Sequence, residues 1–153
     1  MWLDLIDYVA KAFKDARVAK SVTIGGINPT QTEPNEKGII ILMRGEEEPG
    51  DERIVNGLSV TLFLEAWVRE DDPDVQKGYV RLSALEERID EVLTQIRTDV
   101  GTLENTMIND KYQLVDIRVT GRVGDSDSLR PLLGSQYTIK ATIYDVTEEE
   151  GIW

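Results

Sequence analysis

The sequence predicts an α+β domain: a mixed, mainly antiparallel sheet with an N-terminal helix and one long central helix packed on it. Three observations carry this reading. Residues 58–69 alternate between apolar and more polar side chains, the period of a strand with one buried face. Residues 75–96 place apolar side chains at steps of three and four, the period of a helix with one buried stripe. The predicted strands are joined mainly by hairpin-length links, which suit antiparallel neighbours. The element order is α-β-β-β-α-β-β, and 153 residues suit a single domain, 1–153.

The first element is an amphipathic helix. Leu3, Ile6, Val9 or Ala10, and Phe13 mark its apolar stripe, with Trp2 beside them. It is expected to fade by about Lys20. Val22 and Ile24 alternate before Gly25-Gly26 and predict a short strand, followed by a loop rich in Gly, Pro and Asn. Residues 38–44, GIIILMR, are a β-branched run and predict a buried strand. GEEEPGDER then reads as an acidic turn.

In the next strand Leu58, Val60, Leu62, Leu64, Ala66 and Val68 take one face. Ser59, Thr61, Phe63, Glu65, Trp67 and Arg69 take the other. The long helix follows. Asp72 is the expected cap, Pro73 suits the first helical position, and Asp74 complements the positive end of the dipole. Val75, Tyr79, Leu82, Leu85, Ile89, Val92 and Ile96 form the stripe, and Gly101 is the stop. At 1.5 Å per residue this helix would be roughly 35–40 Å long, enough to cross a sheet. Two strands close the domain. One puts Val115, Ile117 and Val119 against Asp116, Arg118 and Thr120, and the other puts Tyr137, Ile139, Ala141 and Ile143 against Thr138, Lys140, Thr142 and Tyr144. The tail from about residue 147, TEEEGIW, is expected to be mobile until it meets something.

Composition removes much chemistry. The chain has no histidine and no cysteine. Zinc sites built from those residues, thiol nucleophiles and histidine general bases are therefore excluded, and so is a disulfide scaffold. With 29 acids against 17 bases the net charge is −12, a field that repels phosphate. The N-terminal segment is interrupted by Asp4, Asp7, Lys11, Lys14 and Asp15, so neither a signal peptide nor a membrane span is expected. No phosphate loop and no GxSxG elbow occur. GDSDSLRPLLGS starts like a calcium loop but lacks its central glycine, and Gln136 stands where the bidentate glutamate belongs. No catalytic, cofactor or metal residue is assigned, and no enzyme activity is expected.

The remaining candidates are contact residues. Phe63 and Trp67 lie on the less apolar face of the long strand, where they pack against the N-terminal helix or form an intersubunit contact. Arg118, Arg122 and Lys140 put positive charge on the polar face of the last two strands. They pair there with acids such as Asp116 or meet an acidic patch on a neighbour. Such a patch would make a heterologous contact, of the kind that closes into rings. Trp2 and Trp153 suggest docking, within the subunit or onto another.

The order of these pieces carries a resemblance. An N-terminal amphipathic helix precedes GIIILMRGEEEPGDERIVNGLSVTLFLEAWVRE, then the helix GYVRLSALEERIDEVLTQI, then a closing hairpin ending in QYTIKATIYDV. This layout resembles the tail terminator, or tail-completion, proteins of long-tailed bacteriophages across nearly the whole chain. The resemblance implies a homo-oligomeric ring, often of six copies, on the last ring of the tail tube. It implies tube protein and head–tail connector as partners, DNA only passing through the channel, and a place in the virion after assembly in the host cytoplasm. Glu46, Glu47 and Glu48 would face the lumen, because a charged hairpin tip projects from a sheet, and Phe63, Trp67, Arg118, Arg122 and Trp153 would meet neighbouring subunits. Two alternatives stand beside it: another neck or adaptor protein, and an acidic mimic of nucleic acid that blocks a DNA-binding partner.

Overall fold

The computed structural model describes residues 1–26, 29, 34–50, 57–102 and 106–146. The elements are α1 (Trp2–Asp15), β1 (Ser21–Ile24), β2 (Ile39–Pro49), β3 (Gly57–Arg69), α2 (Val75–Gly101), β4 (Tyr112–Gly124) and β5 (Leu132–Asp145). The strands form one sheet in the order β1-β2-β3-β5-β4. β1 runs parallel to β2, and the other neighbours are antiparallel. This is the α+β class and the element order that the sequence predicts. The parallel pair is possible because the stretch from Gly25 to Gly38 is long enough for a crossover, which takes about a dozen residues.

Both helices cover the same face of the sheet. α1 buries Leu5, Ile6, Val9, Ala10 and Phe13. Leu3, expected on this stripe, is 47% exposed, and the helix ends at Asp15 rather than near Lys20. Arg17, at φ 53°, turns the chain into β1. α2 buries Leu82, Leu85, Ile89, Val92, Leu93 and Ile96 against Val60, Leu62, Leu64 and the matching positions of β5. Its cap is Asp74, whose carboxylate accepts from the Gln76 N–H, so the cap lies two residues beyond the expected Asp72 and Pro73 lies outside the helix. Asp72 instead accepts from the Asp74 N–H and pairs with Lys77. Tyr79 turns outward and donates to Asp127.

Polar groups seat α2 at two places. The Arg88 guanidinium donates to the Val18 carbonyl at 2.9 Å and the Lys37 carbonyl at 3.0 Å, tying the helix to the chain entering both β1 and β2. At the start of the helix, Arg81 donates to Glu70, and Asp72 N–H donates to the same carboxylate. The Arg81 hydrogen bond holds the Glu70 carboxyl below the ordinary range, and that of Lys77 does the same for Asp72. Groups with lowered values stabilise the fold above the unfolded carboxylate pKa, about 4, and lose that contribution as pH falls through the folded value. The urea midpoint is therefore expected to stay level from pH 7 to pH 5 and to drop on further acidification. Glu70→Gln should shrink the drop, and an unchanged drop would mean that this pair contributes nothing to it.

A single extra residue changes the end of β2. Between Arg44 and Glu47 the strand carries one residue more than β3 does opposite it, a bulge. Gly45 sits there because a Cβ would lie 2.4 Å from the Thr61 carbonyl oxygen. The segment expected to be an acidic turn thus stays in the ladder as far as Pro49.

Candidate functional site

Both helices lie on one face of the sheet, and the register lays out what the second face presents. Reading from β2 across β3 and β5 to β4, the first row is Ile39–Trp67–Gly134 and the second Ile41–Glu65–Gln136–Val123. The third is Met43–Phe63–Thr138–Gly121. Then come Thr61–Lys140–Arg118 and finally Glu48–Ser59–Thr142–Asp116. One corner is apolar, the middle carries hydroxyls, and a cationic row is followed by an acidic one.

The apolar corner is a small core of its own. Ile39, Ile41, Trp67 and Leu132 are buried together, with Met43 against them. The Trp67 indole lies across Gly134 and donates to Glu65 at 3.2 Å. Phe63 stands half-buried beside this group. Packing of Phe63 and Trp67 against the N-terminal helix is thereby excluded: α1 lies on the opposite face, against Ile40 and Leu42. The continuous run Ile39–Leu42 carried a signal for this corner, since a strand apolar at every position is buried on both faces.

The two arginines part company. β4 carries extra residues at Val115 and Thr120, and each bulge reverses the phase of the side chains that follow. Arg118 stays on the open face opposite Lys140 and bonds Asp116 at 2.8 Å, the acid expected for it, which also lies 3.6 Å from Arg97 of α2. Arg122 falls opposite Tyr137 on the helix side, a correction to its expected place on the polar face. There it donates to the Tyr137 hydroxyl at 3.1 Å and to Asp90 at 3.1 Å, bracing the edge strand to α2. Burial raises the Tyr137 phenol above its ordinary value. Of Val115, Ile117 and Val119, expected on one face, Ile117 is in the core, Leu114 takes the place of Val115 there, and Val119 is exposed.

The acidic triplet also divides. Glu46, Glu47 and Glu48 are all exposed, but they stand in β2 and not on a hairpin tip. Glu47 is opposite buried Val60 and lies 3.6 Å from Arg44 on the helix side, whereas Glu48 is opposite Ser59 on the open face. Glutamate's poor strand propensity and the flanking glycines hid this pairing. Trp153 and the rest of the tail from residue 147 lie outside the described residues.

Among the described residues no three acids stand close enough to hold a metal ion. A shallow groove of about 760 Å³ crosses the two charged rows, lined by Ser59, Arg118, Thr120, Lys140 and Thr142. Among the described residues no helix is long and apolar enough to cross a membrane. No family model matches the chain, and no curated protein matches its sequence.

Proposed function

We propose that this protein is a structural subunit that works by self-association, a phage tail terminator whose ring caps the tail tube and presents a surface to the head connector. The observation that carries the reading is the open sheet face. It carries half-buried Met43 and Phe63 and exposed Val123 among polar rows, beside the buried tryptophan-centred corner, and no helix among the described residues covers it. Apolar side chains left partly exposed and rimmed by polar groups are the usual mark of an interaction surface. The sheet's two ends argue the same way. β1 is only four residues long and β4 is broken by two bulges, features that discourage strand-to-strand growth at the edges and leave the face as the contact.

Capping needs no chemistry beyond binding. Subunits bind the last ring of the tube and replace it with a surface that no further tube subunit extends. The end of β2 that carries Glu46, Glu47 and Glu48 is assigned to the channel side, where its acids, on both faces of the strand, would add to a field of net charge −12 that keeps the DNA backbone from sticking. The direct test adds the purified chain to polymerising tube protein of the same phage. The reading expects shorter tubes, with the chain at one end of each. An unaltered length distribution at several-fold molar excess would contradict it.

A further inference from the structure

The helix layer on the other side of the sheet has a gap in it. α1 and α2 lie on the same face, and an open groove of about 370 Å³ runs between them. Tyr8, Ala12 and Ala16 form its α1 wall, and Val92 and Ile96 belong to the α2 wall. Ala12 is half-buried and Ala16 exposed, and their short side chains leave room for groups from outside.

The rim of the groove is negative. On α1, Lys11 and Asp15 cancel each other at 3.0 Å. Lys11 is the one cation among the lining residues. On α2, Glu91, Gln95 and Asp99 follow at steps of four along the edge, which keeps them on one side of the helix. Glu91 makes no ion pair among the described residues, and the Asp99 carboxylate accepts from the neutral Gln95 amide at 2.8 Å. The last turn of α2 carries no basic residue, so the negative end of the helix dipole adds to Asp99. Two carboxylates without a cation thus border an apolar floor. At 1.5 Å per residue they stand about 12 Å apart along the helix.

We propose that this groove binds a cationic amphipathic helix of a partner protein. Helix-in-groove binding lays an apolar stripe on an apolar floor, here as a third helix between two. The charge selects the kind of helix. The occupant carries Lys or Arg beside its stripe, and two of them seven or eight residues apart span about 10–12 Å and meet Glu91 and Asp99 together. A second copy of this chain is the poorer occupant, because α1 and α2 both bury their own apolar stripes in the core. The inference goes beyond the self-association reading and does not depend on it.

The test titrates the full-length chain into labelled synthetic peptides and reads fluorescence anisotropy. The first probe is a Leu–Lys peptide of about five helical turns, with leucines at helical spacing and flanking lysines seven apart. The second has the same composition in an order without a stripe, and the third has Glu in place of every Lys. The first should bind about tenfold more tightly than the second, since the stripe is what the floor recognises, and the third should not bind. Glu91→Gln/Asp99→Asn should weaken the first peptide roughly five- to tenfold, the worth of two exposed ion pairs. Asp71→Asn/Asp127→Asn removes as much charge at the opposite end of α2 and should leave binding unchanged. Ala16→Trp, at an exposed position, lays a ring over the groove and should abolish the preference for the first peptide over the second. Equal affinity of wild type for those two peptides would overturn the proposal. Equal weakening by the two double variants would overturn it as well, since the peptide would then follow the net charge of −12 and not the groove. A solution mass lower for Ala16→Trp than for wild type would mean that a second copy fills the groove, and would also overturn it. The peptide results are independent of oligomeric state, so their failure leaves the self-association reading standing.

Discussion

Leu85→Ala is expected to lower the unfolding free energy by about 2–5 kcal/mol, the range for removing a fully buried leucine. Leu85 is 0% exposed in the middle of α2. Its Cδ2 stands 2.7 Å from the point where a Cβ on Gly38 would lie, so the helix is closely seated on the chain entering β2. The backbone on both sides is held by Arg88 and cannot collapse freely into the space. Urea denaturation with an unchanged m-value is the check. A loss below about 1 kcal/mol would mean that α2 does not bury this face.

The second large effect lies on the opposite side of the sheet. Gly134→Ala should cost about 1–3 kcal/mol, the usual range for overpacking. The new Cβ would lie 2.5–2.7 Å from three atoms of the Trp67 ring, which is rigid and 7% exposed. The ring must swing off β5, breaking its bond to Glu65 and opening the corner formed with Ile39, Ile41 and Leu132. Tryptophan emission should shift to the red, and the shift should vanish in a Trp67→Phe background. Wild-type stability and emission in Gly134→Ala would mean that the indole does not lie across β5.

These two sites also show what could be read from the chain. The step pattern of α2 announced Leu85, Ile89 and Ile96 correctly, because one helical face meets one continuous core. The alternation of β3 announced Val60 to Val68 for the same reason. What escaped was wherever a single residue changes the phase. The bulges at Gly45–Glu46, Val115 and Thr120 are fixed by the partner strand; Gly45 is a local mark of the first, and nothing comparable marks Val115. They moved Arg122 onto the helix side and exchanged Val115 for Leu114 in the core, whereas ordinary strand alternation puts Glu47 and Glu48 on opposite faces. The cap moved from Asp72 to Asp74 because DDPD offers acids of equal quality on either side of Pro73, and the hydrogen bonds of Asp72 to Asp74 and Lys77 decide between them. The open face was legible only in part. Phe63, Trp67, Arg118 and Lys140 could be named as a polar-side group, but their grouping into an apolar corner and a cationic row depends on the order β2-β3-β5-β4, which sequence separation does not reveal.

The central claim is that the chain works by associating with itself. The absolute mass of the full-length protein in solution, measured by light scattering after size exclusion over a concentration series, tests it most directly. The account predicts a closed oligomer several times the 17.3 kDa subunit mass, visible as rings by negative stain. A mass of one subunit at every concentration would contradict it.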